Sequence, residues 1–223
     1  MKAILFGATG MVGAGVLRQC LVDPRVESVL AVGRRSCGIT HPKLTEIQHT
    51  DFFDYTAIQP RLAGYDACFF CLGVSSAGMS EAKYRRLTYD LTLAAAQAVL
   101  AVNPQLTFCY VTGVGTDSSE RGSSMWARVK GATENALLRL PFKAAFMFRP
   151  GFIQPLDEIR SKTRLYQAFY TVLGPLYPIV RRIAPKYVTT TTAVGRAMIR
   201  VAARGYSKPI LETTDINAAA ETQ

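Results

Sequence analysis

A chain of 223 residues, 49% hydrophobic and 19% charged, has enough apolar material for one packed α/β domain, and this composition excludes a disordered chain. The sequence has no stretch of about 18 uncharged apolar residues, so we predict no transmembrane helix. Its net charge of +10 is spread over scattered lysines and arginines. Without a nucleic-acid module motif, we favour a basic solvated surface and predict no nucleic-acid partner.

Short apolar runs of strand length alternate with longer helical patterns along the first two thirds of the chain. Strands are predicted at Ala3–Phe6, Ser28–Val32, Leu44–Gln48, Ala67–Cys71, Thr107–Val111 and Ala144–Phe148. Helices are predicted at Met11–Leu21, near Tyr55–Leu62, at Ser80–Val102 and at Ser124–Arg139. Unbroken apolar strands alternating with helices are typical of a sheet covered on both faces. We therefore predict an α/β fold, a Rossmann-type doubly wound parallel sheet.

A glycine-rich turn joins the first predicted strand to the first predicted helix. Its glycines have the G-x-x-G-x-x-G spacing, which allows a tight turn and lets the backbone approach a pyrophosphate. The following helix supplies unpaired N–H groups and the positive end of its dipole. A glycine turn without a ligand is the alternative. The position favours a dinucleotide site that includes Gly7, Thr9, Gly10, Met11, Val12 and Gly13.

The end of the second predicted strand indicates which dinucleotide this is. An NAD site usually places Asp or Glu there, to accept hydrogen bonds from the adenosine ribose. This chain has Gly33-Arg34-Arg35 instead. Arginine offers planar bidentate donors that suit a 2′-phosphate, so we favour NADP(H), bound through Arg34 and Arg35. The alternative is a solvated turn that happens to be basic.

Residues after the third and fourth strands are expected at the rest of the same cofactor. Asp51 and Phe52 follow the third strand, where such folds often hold the adenine edge, although Asp51 could equally cap its local turn. Leu72 and Gly73 follow the fourth, where small residues leave room for the ribose and nicotinamide.

Five cysteines are present, an odd number without the spacing of a metal site. Cys68 and Cys71 match C-x-x-C, but they lie inside an apolar run, whereas a redox pair normally opens a helix. We expect core thiols and no metal.

Seven short motifs occur in the order expected of a known superfamily. They are Gly7–Gly13, Gly33-Arg34-Arg35, Asp51, Cys71-Leu72-Gly73, Val111-Thr112-Gly113, Val129-Lys130-Gly131 and Arg149-Pro150-Gly151. Together they resemble the short-chain dehydrogenase/reductase superfamily, most closely its atypical, epimerase-like branch with Tat-interacting-protein-like and NmrA-like members. The resemblance covers about two thirds of the chain. It implies that Pro150 also lies at the cofactor.

The resemblance also implies a catalytic Tyr-x-x-x-Lys on the helix after the fifth strand, with a Ser or Thr nearby. Lysine would hold the nicotinamide ribose and lower the tyrosine pKa, and tyrosine would exchange a proton with the substrate. Lys130 matches, and Thr112 is the candidate hydroxyl, but Trp126 stands where tyrosine is expected. An indole N–H donates a hydrogen bond and is no acid or base near neutral pH. Trp126 is either an aromatic wall beside the nicotinamide or a packing residue.

The chain changes character after Gly151, since residues 156–188 are aromatic, basic and interrupted by prolines. A helix at Thr191–Arg204 and a strand near Pro209–Leu211 follow, and Asn217–Gln223 is predicted to be a tail. We expect a single domain 1–223, with a dinucleotide-binding core 1–151, a variable lid or substrate segment 152–190, and a helix and strand at 191–216 that complete the core.

Three roles are open for the variable segment: a lid over an apolar substrate, a membrane-surface anchor, or the interface of a homodimer. We favour the lid, with Tyr166 and Tyr170 as candidate substrate contacts.

The sequence thus predicts an NADP-dependent oxidoreductase of the atypical short-chain type, which acts on an apolar or aromatic small molecule without the usual tyrosine. A non-catalytic NADP(H)-sensing protein is the alternative, and a nucleoside-diphosphate-sugar epimerase is a weaker one. The amino terminus makes a poor signal peptide, so we expect a cytoplasmic protein.

Overall fold

The computed structural model describes residues 1–156 and 185–221, in which one seven-stranded parallel sheet forms the centre. The sheet has the order β3-β2-β1-β4-β5-β6-β9, and all neighbouring strands pair in parallel. Its strands are β1 (Lys2–Phe6), β2 (Ser28–Gly33), β3 (Leu44–Gln48), β4 (Ala67–Phe70), β5 (Thr107–Val111), β6 (Ala144–Arg149) and β9 (Ile210–Glu212). The order reverses between β1 and β4, which makes this the point where open α/β sheets bind ligands. The predicted Rossmann-type fold is confirmed.

Helices cover both faces of this sheet. Among the described residues they are α1 (Met11–Val22), α2 (Glu81–Arg85), α3 (Leu91–Val102), α4 (Met125–Arg139), α5 (Thr191–Arg204) and α6 (Thr213–Glu221), with short 3₁₀ turns at Gln59–Leu62 and Pro185–Tyr187. One buried cluster joins the sheet to α1, α5 and α6, and the other joins it to α3 and α4. None of the described helices is long and apolar enough to cross a membrane.

The alternation of side chains along each strand explains these two clusters. On β1, Leu5 faces the α1 and α5 side, whereas Ile4 and Phe6 face the α3 side. On β4, Phe69 and Phe70 divide in the same way. Each of these side chains is fully buried, and burial of one large apolar side chain contributes roughly 1.5–3 kcal/mol. Both faces of the strands must therefore be apolar, which is why they appear in the sequence as unbroken runs.

Small residues bring α1 close to α5. A Cβ on Gly15 would lie 2.6 Å from the Cβ of Thr191, and one on Gly195 would lie 2.8 Å from Cγ of Gln19. Neither position has room for a side chain, so the two helices pack backbone to backbone. This contact fixes the direction in which the N-terminus of α1 points.

The structure corrects two expectations about individual elements and adds a small second sheet. The long helix predicted at Ser80–Val102 contains a π turn at Arg86–Asp90 between α2 and α3. The predicted tail at Asn217–Gln223 is wrong, because the helix α6 continues to Glu221, where Ala219 and Ala220 are buried and Arg200 donates hydrogen bonds to both of their carbonyls. Within the predicted variable segment, β7 (Phe152–Gln154) and β8 (Val188–Thr190) pair in parallel as a second small sheet.

Candidate functional site

The glycine turn between β1 and α1 adopts a conformation that other residues would resist. Gly7 has φ of +83°, and a Cβ there would lie 2.8 Å from the backbone carbonyl carbon of Cys71. A Cβ on Gly13 would overlap the carbonyl oxygen of Gly7, while the Gly10 amide donates to that same oxygen at 2.9 Å. Gly10 begins α1 without a side-chain cap. The turn therefore offers backbone and a helix N-terminus to whatever lies in front of it.

Three adjoining cavities form one groove along the carboxyl ends of the central strands. They have volumes of about 440, 470 and 410 Å³, and Leu72 lines all three. The first lies between Gly7–Thr9 and the end of β2, and the third lies between Met11 and Lys130. The groove thus passes the glycine turn on both sides.

Two free cations lie at the β2 end of the groove. Arg34 and Arg35 are exposed and line the first cavity, and within residues 1–156 and 185–221 neither makes an ion pair. Both guanidiniums are therefore available to an anionic ligand. The structure brings them to the same cavity as Thr9.

A carboxylate that the sequence analysis missed lies in this same cavity. Glu46 on β3 lines the cavity, and its two oxygens accept the Cys37 amide at 3.1 and 3.3 Å. The sequence gives little indication of this role, because Glu46 lies on β3 and not at the end of β2, where a ribose-binding acid is expected. The parallel register of β2 and β3 brings it alongside Ala31.

The second cavity is mainly apolar. Phe52, Phe53, Leu87 and Leu91 line it together with Asp51. The Asp51 carboxylate accepts the Phe53 amide at 2.9 Å, so it caps its local turn and still borders the cavity. The π turn contributes Leu87, four residues before Leu91, to this wall.

The third cavity holds Lys130 and Thr112, together with Val12, Gly73 and Pro150. The Lys130 amine donates to the carbonyl of Thr112 at 3.2 Å and lies 5.7 Å from the centre of the Tyr110 ring. Burial lowers the pKa of this amine to about 8, and the negative charge of Glu134 opposes the shift. The amine is thus partly desolvated, and it lines the groove.

Behind Lys130 lies a buried ionic network that the sequence analysis also missed. Glu134 is fully buried and forms an ion pair with Arg149, which also hydrogen-bonds to Ser118 at 2.5 Å. The Thr112 hydroxyl donates to Glu134 at 2.6 Å. Its proton is therefore directed away from the groove. Glu134 lies one helical turn after Lys130, and this spacing could have predicted that the two side chains share one face of the helix.

Comparison with known proteins places this geometry in context. No protein-family model matches the chain. Protein FMP52-1 of Scheffersomyces stipitis is 28% identical over 69% of this chain and 67% of its own length. Protein fmp52-2 of Aspergillus oryzae is 26% identical over 96% of this chain and 94% of its own, and protein HTATIP2 of Rattus norvegicus is 26% identical over 89% and 79%.

Solved structures with this fold include a short chain dehydrogenase family protein from Francisella tularensis, with a TM-score of 0.64 and 13% identity over 92% of this chain and 91% of that one. Another is the dTDP-glucose 4,6-dehydratase DesIV from Streptomyces venezuelae, with a TM-score of 0.66 and 16% identity over 99% and 80%. The chain is thus similar in sequence to the FMP52 and HTATIP2 proteins, and it has the fold of solved short-chain dehydrogenase/reductase structures.

These relatives overturn one expectation from the sequence. The prediction of a cytoplasmic protein is contradicted, because the FMP52 proteins that match it are named mitochondrial. The prediction depended on the poor fit of the amino terminus to a secretory signal, which excludes only one kind of targeting segment.

Trp126 occupies the position at which the resemblance implies a tyrosine. It lies on α4 one turn before Lys130, and its ring is half-buried against the loop at Gly115, where a Cβ would lie 3.4 Å from Cη2 of the indole. Among the described residues that line the Lys130 cavity, Trp126 does not occur. This position favours the packing interpretation. The other two substrate candidates, Tyr166 and Tyr170, lie outside the described residues.

Proposed function

We propose that this chain is an NADP(H)-dependent oxidoreductase of the atypical short-chain type, acting on an apolar or aromatic small molecule without the usual tyrosine. The observation that carries the proposal is the continuous groove from Arg34 past the glycine turn to Lys130. Its basic end suits the 2′-phosphate of NADP(H), and the helix N-terminus at the glycine turn suits the pyrophosphate.

The residues of the groove fit such a cofactor. The space in front of Gly7 and Gly13 exists because neither residue has a side chain, so a pyrophosphate can approach the backbone. Arg34 and Arg35 would bind the 2′-phosphate, and the apolar wall at Phe52 would hold the adenine. Lys130 would hold the nicotinamide ribose. When bound, the cofactor supplies a hydride.

Lys130 is also the residue that we propose to supply the proton. Two other groups line the same cavity and are less suited to this role. The Thr112 hydroxyl already donates a hydrogen bond to Glu134, and burial raises the pKa of the Cys71 thiol. Since the Lys130 amine has a pKa of about 8, it is mostly protonated at pH 7 and can give a proton to a substrate oxygen. A quinone needs little acid catalysis and is a suitable acceptor class.

A direct test measures NADPH binding and turnover in the same preparation. NADPH binding is followed by energy transfer from Trp126, the single tryptophan of the chain, and oxidation of NADPH is followed with panels of quinones and aldehydes. We expect turnover with at least one acceptor of the two panels. For an aldehyde, whose oxygen must gain a proton, kcat should fall about 100-fold or more in Lys130→Met, whereas quinone reduction should fall less. Lys143→Met, which changes an exposed lysine, is the matched control.

A second function remains open because of Trp126. A dinucleotide-binding protein without the tyrosine acid suits a sensor, in which NADP(H) stabilises a surface for a partner without turnover. Tight NADPH binding with no oxidation by any acceptor, in the native protein and in Trp126→Tyr alike, would favour the sensor. Isothermal titration calorimetry measures binding in both proteins, because the substitution removes the fluorescent donor. Absence of NADPH binding would overturn both functions.

A further inference from the structure

The cavity at the end of β2 contains charges of both signs that do not neutralise each other. Arg34, Arg35 and Glu46 all line it. Among the described residues, Glu46 makes no ion pair, and both arginines are equally free. A ligand in this cavity therefore meets two cations and one anion, each with hydrogen-bonding capacity left.

The carboxylate of Glu46 is only partly occupied. Both oxygens share one donor, the Cys37 amide, at 3.1 and 3.3 Å. An ionised carboxylate has about four acceptor sites, so most of them remain open. Ribose hydroxyls are donors that such a carboxylate binds well, whereas a phosphate at the same place would be repelled.

We propose that Glu46 extends the cofactor range of this site from NADP(H) to NAD(H). Glu46 would accept a hydrogen bond from the adenosine 2′-hydroxyl of NAD(H), while Arg34 and Arg35 bind the 2′-phosphate of NADP(H). This inference rests on the proposed function and concerns the same groove. It assigns the ribose acid to β3, in register with Ala31, and not to the end of β2.

Glu46 also has a structural contact that the test must separate from its charge. The Cys37 amide belongs to the loop that carries Arg34 and Arg35, so loss of its acceptor would disturb the arginines as well. Glu46→Gln removes the negative charge and keeps an acceptor for Cys37. Glu46→Ala removes both. Comparison of the two variants distinguishes ligand binding from loop positioning.

The experiment measures dissociation constants by isothermal titration calorimetry, with NADPH and NADH as whole cofactors and with 2′,5′-ADP and 5′-AMP as minimal adenosine probes. For the native protein we expect the constants for NADPH and NADH to differ by less than about tenfold. In Glu46→Gln, NADH should bind about tenfold more weakly and NADPH at least as tightly, because a hydrogen bond of about 1.4 kcal/mol corresponds to that factor. Glu27→Gln, at an exposed acid away from the cavity, should change neither constant.

Several results would overturn the inference. One is a NADPH-to-NADH ratio that Glu46→Gln leaves unchanged, and another is a native preference of more than a hundredfold for NADPH. If Glu46→Gln behaves like the native protein while Glu46→Ala weakens both cofactors equally, Glu46 only positions the loop. If the native protein binds neither dinucleotide nor either probe, the proposed function itself fails. Circular dichroism melting of each variant shows that it is folded.

Discussion

The two ends of the groove differ in how their charges are used. At the β2 end, Arg34, Arg35 and Glu46 are free of ion pairs with described residues. At the Lys130 end, Glu134 and Arg149 are already paired with each other in a buried site, and Thr112 is hydrogen-bonded to that pair. The charged groups at the β2 end are available to hydrogen-bond a ligand. Most of those at the Lys130 end already hydrogen-bond to one another.

This difference separates recognition from chemistry. A charge that is solvated and unpaired costs little to maintain and becomes useful when a ligand arrives. A charge that is buried must be paired to be tolerated, and its partner then fixes the groups around it. We therefore expect substitutions at the Lys130 end to affect folding strongly, and those at the β2 end to affect binding with little effect on folding.

The largest effect is expected for Glu134→Gln. Removal of this buried carboxylate leaves the Arg149 guanidinium without its main partner, which typically costs about 3–5 kcal/mol. Urea unfolding followed by circular dichroism measures the loss in the free energy of unfolding. Glu27→Gln breaks the exposed pair with Lys2 and should cost less than about 1 kcal/mol. Equal losses in the two variants would contradict the distinction between the two ends.

The next largest loss of stability is expected for a substitution in the glycine turn. Gly7→Ala places a Cβ at φ +83° and against the backbone of Cys71, whereas Gly38→Ala has a similar φ of +74° and open space around it. The backbone conformation alone costs roughly 1–2 kcal/mol, and overpacking adds about 1–3 kcal/mol at Gly7 only. Thermal unfolding of both variants should show the larger loss in Gly7→Ala. A smaller loss there would mean that the close approach to Cys71 is not rigid.

A more modest effect is expected at the arginines of the β2 end. Arg34→Ala and Arg35→Ala should each weaken NADPH binding by about tenfold or more, since a hydrogen bond to a charged group contributes about 1.5–3 kcal/mol. NADH binding should change much less, and so should the melting temperature, because both side chains are exposed. Calorimetric titration with both cofactors measures this. Equal weakening of NADH and NADPH would show that the arginines do not contact a 2′-phosphate.

The last predicted effect is a pH dependence that originates at Lys130. Its native pKa of about 8 lies below the ordinary 10.5, so between these values the unfolded chain binds more protons than the native one. The native protein should therefore gain stability relative to Lys130→Met as the pH rises from about 8 to 10.5, while below pH 8 the cost of holding the charged amine is fully present. Cys71, Tyr110 and Glu134 face this amine and are common to both proteins. Urea unfolding across this pH range measures the difference, and a constant difference would contradict the lowered pKa.

The fold could be predicted from local patterns in the sequence. The roles of Glu46, Glu134 and Arg149 could not. Gly7 and Gly10 lie within one turn, and the buried runs of β1, β4 and β5 are apolar on both faces. Residues close together in the sequence are therefore enough to predict the turn and these strands. Glu46 joins Arg34 only through the pairing of β2 and β3. Glu134 and Arg149 likewise become partners because α4 packs beside β6.

The helix α6 shows a different limit. Its polar residues and its place at the end of the chain are typical of a tail. The helix is held by contacts from elsewhere, since Ile216 is buried in the core and Arg200 on α5 binds its last carbonyls. Tertiary contacts of this kind override local propensity, and no window of the sequence contains them.

The contact between α1 and α5 has a thermodynamic consequence. A Cβ on Gly15 would lie 2.6 Å from the Cβ of Thr191, so any larger residue there would force α1 and α5 apart. Overpacking of this kind typically costs about 1–3 kcal/mol. Gly15 and Gly195 therefore contribute to the stability of the helix pair by having no side chain.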